Sequence, residues 1–248
     1  MIIIKTDEEI ERMRVSGRLT KNVLDVIEKN IRVGMTTAEL DKIAYDYIKS
    51  VGAEPSCLNY EGYPASTCIS IDDMVVHGIP SSDVYIKEGQ IVSVDLCVKY
   101  DGYQGDAART FCIGKVSPEK EKLVNVTREC FFKAVGNLRA GTPLGDIGYC
   151  VQSHAESNGF GVVRAFVGHG IGKDMHEDPS VPNYGRKGTG IRLKAGTCLA
   201  IEPMITMGTW KVKFLNDGWG AVTLDGKPAA HYENTVLIKE DSVEILTL

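Results

Sequence analysis

The strongest constraint on this chain is a phrase that it repeats. Lys87-Glu-Gly-Gln-Ile-Val-Ser-Val-Asp95 returns as Lys194-Ala-Gly-Thr-Cys-Leu-Ala-Ile-Glu202, with an offset of 107 from Asp95 to Glu202. Each copy is a glycine turn, then an apolar run, then a carboxylate. A buried strand that ends in a carboxylate is costly unless the charge is paired or binds a metal. Two such strands suggest two halves that bring their acids to one shared centre.

Other landmarks keep the same register. Arg32-Val-Gly34 matches Arg139-Ala-Gly141, Glu39-Leu40 matches Asp146-Ile147, and Gly52 matches Gly159. Each half begins with signals for two helices. Thr6-Asp-Glu-Glu9 is a capping box, and the apolar stripe Ile10, Met13, Leu24 and Ile27 predicts a helix over about 7–29. Thr36-Thr-Ala-Glu39 is a second box, leading Leu40, Ile43, Ala44, Tyr47 and Ile48 to a stop at Gly52. In the second half Ser117-Pro118 reads as an N-cap with proline at the first helical position. Leu123, Val126, Cys130, Ala134 and Leu138 then run at helical spacing to Gly141, and Leu144, Ile147 and Val151 continue to Gly159. An H-x-x-P element follows in each half, His77-Gly-Ile-Pro80 and His176-Glu-Asp-Pro179. The expected architecture is α+β: one domain over 1–248, built by internal duplication from halves of about 1–115 and 116–248.

Bulk properties narrow the function by exclusion. A net charge of −5 gives no electrostatic case for a nucleic-acid partner. No stretch resembles a membrane span, and Met1-Ile-Ile-Ile-Lys5 is too short for a signal-peptide core. The seven cysteines are an odd number with no C-x-x-C pair, which fits reduced thiols in a cytoplasm better than a disulfide framework.

The chemistry lies after the repeated phrase. Asp101-Gly102 is a hairpin signal, and a hairpin there returns Asp106 to the side of Asp95. Two carboxylates side by side repel, and a bound cation removes the problem. Val167-Gly-His-Gly-Ile-Gly172 sets His169 among glycines that permit close approach. Pro203 ends strand pairing just after Glu202, and Glu233 opens the apolar stretch before Ile238. Asp95, Asp106, His169, Glu202 and Glu233 thus supply four carboxylates and one imidazole, placed at expected strand ends. Two divalent ions would balance their charge, and oxygen-rich ligation with one histidine suits Mn²⁺, Fe²⁺, Co²⁺ or Zn²⁺. Two such ions can share a bridging hydroxide that attacks a carbonyl. Glu202 could carry the proton from that water to the leaving amine. The two H-x-x-P histidines could polarise a peptide from either side. His154 falls in a helical stretch and reads as structural.

These motifs resemble those of type I methionine aminopeptidases, metallopeptidases of family M24 with the pita-bread fold shared by prolidases and aminopeptidase P. The resemblance spans essentially the whole chain. It rests on Val-His77-Gly-Ile-Pro, Asp95 with Asp106, Gly-His169-Gly-Ile-Gly, His176-Glu-x-Pro, Ile-Glu202-Pro and Glu233-x-Thr. It implies that the five residues are ligands of two metal ions. It implies that His77 sits near the substrate amine or the departing nitrogen, and that His176 hydrogen-bonds the scissile carbonyl or its oxyanion. Cys57, Tyr60, Tyr63 and Cys68 resemble the methionine pocket, with Met175 and Trp219 as further walls. The implied activity is removal of initiator methionine from nascent chains whose second residue is small. The implied setting is a cytoplasmic monomer that meets the ribosome transiently, with no nucleic acid bound directly.

The chain departs from the family pattern in places. Met175 stands where phenylalanine is common, and His231 and Asn234 replace the usual glutamine and histidine around Glu233. Asp72 replaces a common asparagine at the monovalent-cation site that the resemblance implies. Two other readings are a prolidase or aminopeptidase P-like peptidase, and a non-catalytic pita-bread binding protein. The first typically carries a sizeable N-terminal domain, and the second has usually lost ligands.

Overall fold

The computed structural model describes residues 1–248. Helix α1 (Asp7–Asn30) starts as expected: the Thr6 hydroxyl accepts from Glu9 N, and the Glu9 carboxylate accepts from Thr6 N. The box satisfies two of the amides that a helix start leaves unpaired. Thr36 and Glu39 do the same for α2 (Thr37–Ser50). Short strands β1 (Glu54–Pro55), β2 (Cys68–Ile71) and β3 (Met74–Val76) precede a long hairpin, β4 (Ile91–Tyr100) and β5 (Tyr103–Cys112). Asp101 and Gly102, both at positive φ, close it as a two-residue turn between the paired Tyr100 and Tyr103.

The second half begins with α3 (Pro118–Val135), capped by Ser117 with Pro118 at its first position, and α4 (Gly145–Ser157). Helix α3 is shorter than its apolar spacing predicts. It closes at Gly136, and Leu138 is buried from within a turn, its N–H donating to Val135 O. Helical spacing there marked a buried face and not a continuing helix. Strands β6 (Gly161–Val162), β7 (Gly168–Gly170), β8 (Glu177–Val181), β9 (Cys198–Ile201) and β10 (Met204–Thr206) follow. The chain ends with β11 (Val212–Phe214), β12 (Ala221–Thr223), β13 (Ala229–His231), β14 (Asn234–Ile238) and β15 (Val243–Ile245).

All strand pairing is antiparallel. Strand β4 has β5 along one edge and β1 and β2 along the other. The second large sheet runs β15-β14-β9-β7-β8, and two three-stranded sheets, β13-β10-β6 and β11-β12-β3, complete the set. One core packs Ile27, Leu40 and Ile48 of α1 and α2 against Val92, Val94 and Leu96 of β4. A second packs Leu123, Phe131 and Ile147 of α3 and α4 against Leu199 and Val236 of β9 and β14. Removing one such side chain costs roughly 2–5 kcal/mol.

Backbone geometry recurs at the 107-residue offset. Gly34 N donates to Ile86 O at 2.8 Å, and Gly141 N donates to Leu193 O at 2.8 Å. Isolated bridges join Thr36 to Tyr85 and Pro143 to Arg192. Gly34 and Gly141 have φ of +85° and +87°, a left-handed conformation that disfavours a side chain.

The large sheets meet where β5 runs beside the residues entering β14. Glu233 N donates to Ala108 O at 3.0 Å. The Thr235 hydroxyl takes a hydrogen bond from Asp106 N at 2.9 Å and gives one to Asp106 O at 3.0 Å. That stitch explains the threonine of Glu233-x-Thr.

Candidate metal centre

At this junction the hairpin register decides which side chains meet. Asp95 pairs with Ala108 and Asp106 with Cys97, so both acids project from one face. Glu202 leaves β9 just before Pro203, Glu233 sits between β13 and β14, and His169 is the middle residue of β7. The strand-end expectation therefore holds for Glu202 and Glu233 only. Asp95 and Asp106 lie inside long strands, because β4 runs on through buried Cys97 and Val98 to its hairpin with β5. Glycines flank His169 for a packing reason: a methyl at Gly168 would collide with the Ala200 carbonyl, and one at Gly170 with that of Asp178.

All five candidate ligands line one cavity of about 330 Å³. Its other walls are Cys57, Tyr60, Glu61, Tyr63, Cys68, His77, Met175, His176 and Trp219. The acids crowd together with no lysine or arginine among the lining residues. Burial raises Asp95 to about 7. Burial, reinforced by the neighbouring acids, pushes Asp106, Glu202 and Glu233 well above the usual carboxylate range.

The donor set fits divalent cations. His169 Nδ1 lies 2.8 Å from Gly170 O, and a carbonyl can only accept, so Nδ1 carries the proton. Nε2 is left with its lone pair, 3.6 Å from Glu202 Oε1 and 3.9 Å from Asp106 Oδ2. Burial, and then His176, lowers the His169 pKa to about 4, so the ring is the neutral form a metal requires. Asp106, His169 and Glu233 converge closely enough to share one ion, and Asp95, His231 and Glu233 form a second such group.

Two more imidazoles border the acids. The His176 ring meets the His169 ring edge-on at 4.3 Å, and its Nδ1 lies 2.7 Å from the Tyr60 hydroxyl. His77 has a φ of +60°, a strained conformation of a kind that gathers at functional sites. Burial lowers the pKa of both. Tyr63, 3% exposed, sends its hydroxyl to Thr67 O and Gly78 O and meets Trp219 edge-on at 5.0 Å. Cys68 pairs with Asp95 across β2 and β4, so a side chain resting there lies beside the acids. The neighbouring Cys68 and burial both push the Cys57 thiol up.

The profile of metallopeptidase family M24 matches residues 11–240. The chain belongs to metallopeptidase family M24. It is 54% identical to a methionine aminopeptidase of Clostridium acetobutylicum, over 100% of this chain and 99% of the relative. The crystal structure of a methionine aminopeptidase from Thermotoga maritima superposes with a TM-score of 0.98 at 44% identity, covering 100% of this chain and 99% of that one. One from Rickettsia prowazekii gives 0.98 at 40% identity, covering 100% of both chains.

One residue that lines this M24 site and one that packs on it escaped the sequence reading. Glu61 lines the cavity mouth, and its only signal was its place between Tyr60 and Tyr63. Phe166 meets His77 edge-on at 5.2 Å, and its position just before Val167-Gly-His169 was the available clue. His154 bonds Glu129 Oε2 at 2.8 Å from α4. Asp72 pairs with Lys120 Nζ at 2.6 Å.

Proposed function

We propose that this chain is a methionyl aminopeptidase that removes the initiator methionine from nascent polypeptides whose second residue is small. The observation that carries the reading is one cavity of about 330 Å³ in which sulfur and aromatic walls adjoin the buried acids. The full-length likeness to methionine aminopeptidases supports it over a prolidase-like peptidase, and the complete ligand set supports it over a non-catalytic binding protein.

Asp95, Asp106, His169, Glu202 and Glu233 hold two divalent ions in this proposal, drawn from cobalt, manganese, iron and zinc. When bound, such a pair acidifies water and polarises a carbonyl. The methionine side chain lies among Cys57, Tyr63, Cys68, Met175 and Trp219, with Tyr60 beside His176. Sulfur and aromatic walls suit a flexible thioether. His77 contacts the substrate amine or the departing nitrogen. His176 donates from Nε2 to the scissile carbonyl as negative charge develops on it. Glu202 accepts the proton of the attacking water and delivers it to the leaving amine, so the C–N bond breaks and a neutral amine departs.

Near Asp72 the Lys120 ammonium supplies a cation to the carboxylate at 2.6 Å. The matching backbone at the 107-residue offset supports one domain made by duplication of halves of about 1–115 and 116–248. The site is complete within one chain, which supports a monomer. No helix is long and apolar enough to cross a membrane, and all seven cysteines are free. Both facts support work in the cytoplasm, where the enzyme meets nascent chains transiently at the ribosome.

The test is peptide specificity. With Co²⁺ or Mn²⁺ the protein should release methionine from a Met-Ala-Ser peptide and spare an Xaa-Pro peptide. Cleavage of the proline peptide alone would overturn the reading.

A further inference from the structure

We propose that His231 is a sixth protein ligand of the metal centre, giving an imidazole nitrogen to the ion that Asp95 and Glu233 hold. The inference rests on the metal reading above and extends it to a residue outside that set. His231 is 2% exposed, and its Nε2 is a buried polar atom with no hydrogen-bond partner. Such an orphan is costly, and in a native fold it calls for an explanation.

Its distances supply one. Nε2 lies 3.7 Å from Glu233 Oε2 and 3.9 Å from Glu202 Oε2. Both are too long for hydrogen bonds. They suit two donors on one ion: ligands about 2.1 Å from a metal stand roughly 3.0–3.4 Å apart at right-angled or tetrahedral geometry, and farther apart at wider angles. His169 shows the same spacing to its carboxylates, 3.6 and 3.9 Å. The two imidazoles thus flank Glu202, His169 beside Oε1 and His231 beside Oε2. The ligand atoms of Asp95, His231 and Glu233 lie within 4.8 Å of one another, as do those of Asp106, His169 and Glu233. Two triads share Glu233, and each contains one histidine.

The position of His231 is held from the backbone. Its N–H donates to Thr110 Oγ1 at 2.9 Å, the same hydroxyl donates to His231 O at 2.8 Å, and β13 pairs His231 with Met204. The side chain is therefore aimed by β5 and β10 together. The chemical consequence is a nitrogen donor at both metal positions. Nitrogen favours Co²⁺, Fe²⁺ and Zn²⁺ over Mn²⁺ and Mg²⁺, so the second position should load almost as readily as the first with those ions.

The test is Co²⁺ titration of the metal-free full-length protein, followed by calorimetry and visible absorption. The wild type should take two equivalents. H231A and H231F should keep the first and weaken the second by tenfold or more, with the nitrogen-dependent part of the cobalt spectrum reduced. Two equivalents of unaltered affinity in both variants would overturn the proposal. Failure of the wild type to bind cobalt at all would instead sink the metal reading beneath it. Variants that fail to fold leave a direct measurement on the native protein. Its cobalt form, labelled with ¹⁵N-histidine, should show shifted imidazole N–H resonances from two ligating histidines, and resonances from one alone would refute the role of His231.

Discussion

The Tyr60 hydroxyl lies 2.7 Å from His176 Nδ1, and this contact orients the His176 ring. Burial keeps the ring neutral. With the phenol as donor, Nδ1 accepts and Nε2 carries the proton, the form that can donate to a substrate carbonyl. Tyr60→Phe removes the orienting partner while keeping the edge-on ring contact. It should lower kcat by about tenfold or more, the scale of lost orienting partners, while bound metal stays at the wild-type level. Steady-state kinetics with metal analysis checks this, and an unchanged kcat would show that His176 needs no orienting partner.

Metal removal should cost stability. The four raised carboxylates face each other without a cationic side chain among the cavity walls. A ligand at about 100 times its Kd adds roughly 2.7 kcal/mol. In a chain of this size that corresponds to a rise in Tm of about 5–10 °C. Calorimetry with and without Co²⁺ should show such a rise in the wild type and little of it in Asp106→Asn. Equal shifts in both would remove Asp106 from the ligand set.

The helices were legible in the sequence because their causes are local, whereas the cavity walls were named only through the family resemblance. Capping boxes at Thr6 and Thr36 satisfy amides only three residues away. The Asp101-Gly102 turn fixes the register that brings Asp106 to the face of Asp95. What escaped depends on distant partners. Leu138 kept the apolar spacing of a helix that had already ended at Gly136. Asp95 reads like a strand end because polarity interrupts an apolar run, whereas its strand continues through Cys97 and Val98. The Tyr60–His176 contact spans 116 residues, and no spacing rule reports it.

Thr235→Val keeps the shape of the side chain but removes both hydrogen bonds to the Asp106 backbone. Each buried group left unpaired costs roughly 1–3 kcal/mol. The variant should lose about 5 °C or more of Tm. Its metal affinity should also fall, because the stitch holds Asp106 against the strand that follows Glu233. A variant with normal affinity and a lowered Tm would confine Thr235 to a stability role.

Glu9 links stability to acidity. Its carboxylate accepts from Thr6 N at 2.9 Å and from the Tyr103 hydroxyl at 2.7 Å. Those bonds, the backbone one first, lower its pKa from 4.5 to about 2. A depressed carboxylate stabilises the fold above its unfolded pKa, and that stability is lost as pH falls through the folded value. Glu9→Ala should therefore lower Tm by about 2–6 °C near neutral pH, the scale of a lost cap in a chain this long. The gap to the wild type should narrow as pH falls from about 4.5 towards 2, where the wild-type carboxylate also protonates. Glu9→Gln keeps an uncharged acceptor and should lie between the two at neutral pH. Thermal melts of the three proteins across that window measure the effect, and a gap that stayed constant down to about pH 2.5 would show that the Glu9 charge contributes nothing.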